Sequence, residues 1–165
     1  MEFCVCRGGI TLLIDCAEIE QYLHEHIPMS QAMAVAVEAI AETGVTLSAP
    51  LAPNINHRHT AFGGSISTLA ILSAWTAVHV GLLREQIPCR IVIQRNSVDY
   101  LGPIEGDFQA RCLPPTPQAW GKFLRAIARH GKGRINLVAE VTAGGEVAGR
   151  FQGDYVALKI AGDGR

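Results

Sequence analysis

The sequence predicts an α+β domain in which one long helix lies among antiparallel strands. The first observation is a nearly uncharged apolar stretch over residues 63–83, which has the length and composition of a buried helix. The second is that short β-type segments lie on both sides of this stretch, two before it and four after it. The third is the chain length, since 165 residues suit one domain with a sizeable core.

The segments before the long helix predict a short helix and two strands. Residues 17–26 have a helical pattern, and the strands are expected over residues 34–41 and 45–49. A short turn that contains glycine joins the two strands. Pro50 and Pro53 then interrupt regular structure and open a polar loop that leads to the long helix.

The segments after the long helix predict four strands and one short helix. We expect the strands over residues 90–100, 107–113, 135–141 and 147–158. The last two are joined across Gly144-Gly145, which predicts a hairpin. Between the second and third of these strands, four apolar residues recur at i, i+3, i+4 and i+7, the spacing of an amphipathic helix. They are Trp120, Phe123, Leu124 and Ile127.

The predicted organisation is an N-terminal extension over residues 1–16, one domain over 17–160 and a tail over 161–165. No internal repeat or low-complexity segment divides this domain. The run over residues 59–83 is long enough to span a membrane. It also contains glycine, serine and threonine residues and His79, so we expect a core helix and no contact with a membrane.

The cysteines and the net charge limit the class of function. The five cysteines are odd in number and show no C-x-x-C spacing, and the chain begins without the pattern of a secretory leader. We therefore expect reduced thiols, a cytoplasmic location and no metal or cofactor. A net charge of −1 gives no reason to expect a nucleic-acid partner. The cysteines are Cys4, Cys6, Cys16, Cys89 and Cys112.

Charge is nevertheless distributed unevenly along the chain. From Phe108 to Val138 there is no Asp or Glu, although six basic residues lie there. Several of them fall opposite the apolar side of the predicted short helix. The six are Arg111, Lys122, Arg125, Arg129, Lys132 and Arg134.

The most informative stretch is the polar loop over residues 54–65, which leads through Gly63-Gly64 into the long helix. The first backbone N–H groups of a helix have no partner within the helix and carry a partial positive charge. Glycine at this point lets a ligand approach those groups closely. The arrangement predicts chemistry at a thioester or another polarised carbonyl.

This loop resembles that of the hot-dog fold thioesterase superfamily, in which a sequence of roughly Asn…His-Gly-Gly precedes a central helix. Asn56 falls on the asparagine and Gly63-Gly64 on the glycine pair, while Phe62 replaces the histidine. The stretch Val98 to Arg111 is similar to the superfamily's Tyr-Leu-x-Pro…Gly-Asp strand–turn–strand. The resemblance covers about residues 18–158.

Three shorter stretches resemble one bacterial family more closely. Its members are described as thioesterases and also occur fused behind an acetyltransferase-like domain, and some relatives are associated with decarboxylation of malonyl-acyl-carrier-protein. The stretches are Ile27 to Met33, Ala49 to Asn54 and Thr60 to Ser65. The resemblance implies a single hot-dog domain with the long helix wrapped by an antiparallel sheet. It also implies a homodimer or a dimer of dimers, with the site at the subunit interface.

The implied substrate is an acyl thioester of coenzyme A or of acyl carrier protein. We predict that Asn56, Gly63 and Gly64 polarise its carbonyl, although Asn54 and Asn56 could instead only cap turns. The basic residues of the short helix would bind phosphates or an acidic carrier protein, or would simply form a solvated helix face. The predicted substrate-binding residues are Asn54, His57, His59, Thr60, Phe62, Ser65, Lys122, Arg125 and Arg129.

A His-x-His pair, His57 and His59, offers too few ligands for a catalytic zinc, so no metal is expected. The sequence also lacks an acid that related enzymes have. In phenylacetyl-CoA-type thioesterases a carboxylate lies about two helical turns beyond the glycine pair, and here that position is Ile71. No Asp or Glu occurs between Glu42 and Glu85.

Hydrolysis needs a group that activates water. Asp99 or Glu105 of a partner subunit are conceivable sources. Decarboxylation of a malonyl thioester needs no protein base, because the substrate carries its own carboxylate and only the enolate must be stabilised. The family resemblance makes thioester hydrolysis the first hypothesis. Malonyl-thioester decarboxylation is the second, and a non-catalytic thioester-binding domain is the third.

Overall fold

The computed structural model describes residues 14–160. Two short helices come first, followed by a strand pair, a single 3₁₀ turn (Ala52–Asn54), the long helix and the remaining strands with one more helix among them. The helices are α1 (Cys16–His26), α2 (Pro28–Ala32), α3 (Gly63–Arg84) and α4 (Pro117–His130). The strands are β1 (Ala36–Ala41), β2 (Gly44–Ala49), β3 (Cys89–Tyr100), β4 (Phe108–Cys112), β5 (Lys132–Ala143) and β6 (Glu146–Lys159).

The six strands form one antiparallel sheet in the order β1-β2-β4-β5-β6-β3. The sheet curves around α3, which contacts β2, β3, β4, β5 and β6. The predicted α+β class and the wrapped central helix are therefore confirmed. The predicted hairpin is also present, since β5 and β6 are joined by Gly144 and Gly145, both at positive φ.

α3 is buried because it is apolar on nearly every side. Leu69, Ala70 and Ala74 are completely covered, and they lie in one core with Leu47 and Tyr155 of the sheet. By length and composition alone, α3 could also cross a membrane. In this structure more than half of its most apolar stretch is buried, as a core helix requires.

α1 is held against the start of β1 and against the middle of α3. Glu20 Oε2 accepts a hydrogen bond from Val37 N, and His24 Nε2 donates to Val35 O. The Tyr22 ring stacks on His79 with 4.8 Å between ring centroids, and His79 stacks on Trp75 at 4.7 Å. His79, which lies in the predicted core helix, is thus half-buried among aromatic rings.

α4 lies on the β5 side of the sheet, at the end of α3 where that helix terminates. Thr116 Oγ1 caps its first turn, and Gly131, in the left-handed conformation, ends it. The predicted apolar face is present: Phe123 and Ile127 are buried against Gly133 at the start of β5. The side of α4 that carries Lys122, Arg125 and Arg129 is exposed, as predicted.

Some boundaries differ from the sequence prediction. The short helix α2 was not expected, since a five-residue segment is too short for a periodic pattern. β1 begins two residues later than predicted, after Ala34, whose φ of 53° does not fit a strand. β5 begins three residues earlier, because Gly131 stops α4 and the strand follows at once. The predicted extension over residues 1–16 and tail over 161–165 lie almost wholly outside the described residues.

Candidate active site

Asn54 connects the loop before α3 to two other segments. Its side chain is buried, and its Nδ2 donates to Met33 O at 2.9 Å and to Pro50 O at 2.8 Å. Its main-chain oxygen accepts from Phe62 N at 2.7 Å. Asn54 therefore fixes the residue that directly precedes α3, and within this chain its amide N–H groups are occupied.

Asn56 closes the polar loop on itself. Its Nδ2 donates to Thr60 Oγ1 at 2.9 Å and to Ala61 O at 3.2 Å. Its Oδ1 accepts from Arg58 N at 2.7 Å and from Thr60 N at 3.3 Å. Both ends of the amide thus hold the loop, as in the turn-capping alternative, and direct contact between Asn56 and substrate stays a prediction. His57 and His59 are exposed at the loop tip.

The first turn of α3 leaves backbone donors free. Phe62 is the N-cap residue, and no side chain caps the helix. The first helical hydrogen bond runs from Ile66 N to Phe62 O at 3.0 Å. In the described part of the chain, the N–H groups of Gly63, Gly64 and Ser65 therefore have no acceptor. Three donors with the positive end of a 22-residue helix suit an anion or a developing oxyanion.

Aromatic side chains lie on both sides of the glycine pair. The Phe62 ring covers the space that a Cβ on Gly64 would occupy. Tyr100 Oη donates to Gly63 O at 3.0 Å, and its ring lies 3.5 Å from the position of a Cβ on Gly63. Both side chains are roughly half exposed, and we call Phe62 and Tyr100 together the apolar rim.

Tyr100 was not predicted as a site residue, although it lies in the Tyr-Leu-x-Pro stretch that carried part of the resemblance. Its contact with Gly63 joins residues 37 positions apart, so no local pattern could reveal it. The same stretch also supports the loop, because Ala61 N donates to Ile104 O at 2.8 Å. The end of β3 and the segment after it therefore form one wall of the site.

The second and third turns of α3 offer no acid or base. Ile71, at the position where related enzymes have a carboxylate, is half-buried, and its carbonyl oxygen accepts from Tyr155 Oη at 2.8 Å. Burial raises the pKa of Tyr155, so this hydroxyl stays protonated and donates. Ser73 is committed to Ala70 O at 2.9 Å. In residues 14–160 no three His, Cys, Asp or Glu side chains come together as a metal site.

The two acids considered as possible bases lie in different places, Asp99 on β3 and Glu105 in the segment between β3 and β4. Tyr100 points to Gly63, and because side chains alternate along a strand, Asp99 points to the opposite face. There it lines a cavity of about 280 Å³ with Glu140 and Arg150. Glu105 is exposed and follows Ile104 directly, so it lies beside the loop of its own chain.

The predicted substrate-binding residues do not form one site within a chain. Trp120, in the first turn of α4, packs against Gly81 near the end of α3. Gly81 is about 27 Å along the helix axis from Gly63, at 1.5 Å per residue. The basic side of α4 is therefore at the opposite end of α3 from the free N–H groups. An apolar cavity of about 350 Å³ lies at this second end, lined by Val80, Gly81 and Trp120 among others.

Two of the three described cysteines, Cys89 and Cys112, do not offer a nucleophile. Cys112 is fully buried, and burial raises the pKa of its thiol to about 12. The pKa of Cys89 is also raised, mainly by burial, with Lys159 acting in the other direction. Because only the thiolate attacks or binds metal well, neither residue suits catalysis. Cys16, Cys89 and Cys112 are free thiols, and Cys4 and Cys6 lie outside the described residues.

A central helix wrapped by an antiparallel sheet, with glycines and free N–H groups at its start, defines the class of hot-dog fold thioesterase-like proteins. Residues 16–159 match the model of the family described as "Putative thioesterase (yiiD_Cterm)", and the chain belongs to that family. The match spans nearly the whole domain, so the predicted family is confirmed. Family membership identifies a thioester as the general type of substrate.

Solved structures agree with this assignment. A protein of unknown function from Chlorobaculum tepidum TLS is 30% identical, with a TM-score of 0.84 over 88% of this chain and 94% of that one. The putative thioesterase from Shewanella oneidensis is 28% identical, with a TM-score of 0.78 over 87% and 96% of the two chains. A thioesterase from Haemophilus influenzae shares the fold at 10% identity, with a TM-score of 0.71 over 94% and 98%.

Proposed function

We propose that this protein hydrolyses acyl thioesters of coenzyme A at the start of α3. The single observation that carries the proposal is the set of three free N–H groups at Gly63, Gly64 and Ser65. A thioester oxygen at this position gains negative charge when water attacks the carbonyl carbon. Preorganised donors stabilise that charge, and each is worth about 3 kcal/mol in known oxyanion holes.

The surroundings suit an acyl group attached to that carbonyl. The apolar rim presents aromatic surface directly beside the glycine pair. Tyr100 and Asn54 hold the first residues of α3 from two directions, and Asn56 holds the loop. In this proposal Tyr100, Asn54 and Asn56 are positioning residues. Their hydrogen bonds hold the N–H groups at the start of α3 in place and do not reach the reacting atoms.

Glu105 is the proposed general base. It is the acid that directly follows Ile104, whose carbonyl oxygen binds the loop at Ala61. Its carboxylate would take a proton from the attacking water and later pass it to the departing thiolate. Glu105→Gln should lower kcat, whereas Asp99→Asn, on the opposite face, should leave kcat unchanged.

The proposed reaction is tested with purified protein and a panel of acyl-CoA substrates of increasing chain length. A thiol-reactive dye measures release of free coenzyme A, and mass spectrometry identifies the acid. We expect free thiol in amounts equal to the carboxylic acid formed. Protein that binds these thioesters but never releases thiol would instead be a binding domain.

Malonyl-thioester decarboxylation is the second candidate, and the lack of any carboxylate on α3, with Ile71 at the expected position, favours it. Loss of carbon dioxide leaves an enolate whose charge lies on the thioester oxygen, so the same N–H groups would stabilise it. The product would be acetyl-CoA with its thioester bond intact. Acetyl-CoA from malonyl-CoA, without free thiol, would replace the hydrolase assignment.

We also propose that the protein is a homodimer. β3 is an edge strand of twelve residues, and an exposed edge of this length is a template for pairing with another strand. Family resemblance implies the same assembly, with the site at the interface. Light scattering at micromolar concentration should give twice the monomer mass, and a stable monomer would contradict the proposal.

A further inference from the structure

The two ends of β3 mark the two separated parts of the candidate site. At one end, Tyr100 Oη donates to Gly63 O, so this end lies beside the free N–H groups of α3. At the other end, Cys89 pairs with Lys159 of β6. Lys159 N donates in turn to Gly131 O, the residue that ends α4. Within one chain these parts are separated by the length of β3, about 36 Å at 3.3 Å per residue.

A second copy of the chain removes this separation. β3 is the last strand of the sheet, so its outer edge is available to a second β3. A two-fold axis makes such a pair antiparallel, because each residue contact must occur twice with the roles exchanged. The Cys89 end of one strand then lies opposite the Tyr100 end of the other. The α4 of each subunit comes to the same side of the dimer as the start of α3 in its partner.

We propose that the basic side of α4 binds the phosphate groups of a coenzyme A thioester whose carbonyl lies at the start of α3 in the partner subunit. The proposal rests on the proposed function and on the proposed dimer. It assigns Lys122, Arg125 and Arg129 to phosphate binding in trans, and Gly63 and Gly64 to the carbonyl. Each site then needs residues from both chains.

The charges on α4 fit this role. Lys122, Arg125 and Arg129 are exposed, and within residues 14–160 none of them forms an ion pair with an acid. No Asp or Glu lies between Asp107 and Glu140 in the sequence, so no nearby residue along the chain neutralises them. Guanidinium groups bind phosphates through paired hydrogen bonds, and the pantetheine arm of coenzyme A separates its phosphates from the thioester.

Mixed dimers of two variants test the assignment in trans. Gly64→Pro removes one N–H group from the site but keeps α4, and the double variant Arg125→Glu, Arg129→Glu changes α4 but keeps the start of α3. Proline is tolerated in the first turn of a helix, so the first variant should fold. In a dimer containing one of each, one site combines an intact α3 start with an intact α4 of the partner.

We expect the charge-reversed homodimer to hydrolyse acyl-CoA with a KM raised about tenfold or more and to lose this defect at high salt, since exposed charges are screened. We expect the proline homodimer to have little activity at any substrate concentration. Differently tagged mixed dimers, purified by two affinity steps, should regain the wild-type KM with half of the wild-type sites active. Mixed dimers that show only the raised KM would overturn the proposal, because α4 would then serve its own chain.

A substrate without nucleotide phosphates separates phosphate binding from other effects of charge reversal. For an acyl-pantetheine the wild type and the charge-reversed variant should have the same KM. If the wild type and the charge-reversed variant had equal KM values for acyl-CoA, the proposal would also be overturned. It would likewise be overturned if charge reversal raised the KM only for acyl carrier protein. If wild-type protein hydrolyses no thioester, the proposed function fails. The role of α4 is then decided by calorimetry with coenzyme A, whose binding charge reversal should abolish.

Discussion

The two ends of α3 differ in what covers their glycines. Near its end, the space beside Gly81 is filled by the Trp120 ring, so the missing side chain serves packing between α3 and α4. At its start, the atoms nearest to a Cβ on Gly64 belong to Phe62, a residue that is itself 57% exposed. The same residue type therefore closes the helix surface at one end and leaves it accessible at the other.

Their polar groups differ in the same way. The start of α3 has backbone N–H groups and no acidic residue in its first turn, whereas the other end packs against α4, whose exposed side carries charged side chains. Backbone donors are fixed in place by the helix, which suits the stabilisation of charge that develops during a reaction. Exposed Arg and Lys side chains are mobile and screened by salt, which suits the capture of a charged ligand. In the proposed function, catalysis therefore belongs to the start of α3 and phosphate binding to α4 at the other end.

The largest expected effect comes from removing a backbone donor at the start of α3. Gly64→Pro and Gly64→Ala both displace the Phe62 ring, but only proline deletes the N–H group. We expect Gly64→Pro to have about a hundredfold lower kcat than Gly64→Ala. The same pair of variants at Gly63 provides a second comparison. If proline and alanine are equivalent at both positions, these N–H groups do not act in the reaction.

At the other end of α3, a glycine substitution should affect stability and not chemistry. A Cβ on Gly81 would lie 2.6 Å from the Trp120 ring, so Gly81→Ala should lower the free energy of unfolding by about 1–3 kcal/mol. Gly121→Ala is the matched control, because its Cβ meets only the movable guanidinium of Arg125 and alanine favours a helix. Urea denaturation measures both. A Gly81→Ala protein as stable as wild type would show that Trp120 does not fix α4.

Asn56 tests whether the loop acts by position or by direct donation. Asn56→Ala removes four hydrogen bonds of the loop and should lower the free energy of unfolding by about 1–2 kcal/mol, with a loss of kcat. Asn56→Asp keeps the acceptor for Arg58 N and Thr60 N but loses the donor. If kcat decreases in parallel with stability in the two variants, Asn56 acts by positioning the loop. If a variant is stable but inactive, Asn56 donates directly to the substrate.

The smallest expected effect concerns pH and the aromatic cluster at the middle of α3. Burial, and secondarily His26, lowers the pKa of His79 below its ordinary value of 6.5. As the pH falls, the unfolded chain therefore takes up a proton at His79 before the folded chain does. The contribution of His79 to the free energy of unfolding is fully present above pH 6.5 and decreases as the pH falls below it. His79→Gln should flatten this dependence in thermal melts between pH 5 and 8. If the melting temperature of the variant depended on pH as that of the wild type does, groups other than His79 would cause the dependence.

Most of the fold followed from local pattern. The all-round apolar character of α3, the spacing of Trp120, Phe123 and Ile127, and the glycine turn between β5 and β6 each act within a few residues. The five-residue α2 did not follow, because a segment of this length is too short to show a helical period. The start of α3 with its glycines was also predictable, since helix termini always expose N–H groups.

The assembly of the site was less predictable. The bond from Tyr100 to Gly63 and the contact of Trp120 with Gly81 both join distant segments, and the second decides at which end of α3 the basic residues lie. Lys122, Arg125 and Arg129 were predicted to bind the same substrate as the glycine pair. Charge and motif carry no information on the distance between these residues and the start of α3. The amide of Asn56 was assigned to substrate because its partners in the loop could not be identified.

The position of the substrate carbonyl can be determined from the structure of a complex with an acyl-CoA analogue in which a ketone replaces the thioester. We expect the ketone oxygen at hydrogen-bonding distance, about 3 Å, from the N–H groups at Gly63, Gly64 or Ser65, with the acyl chain on the apolar rim. An acyl group bound instead in the apolar cavity beside Trp120, with the start of α3 empty, would show that the N–H groups of Gly63, Gly64 and Ser65 do not bind the carbonyl.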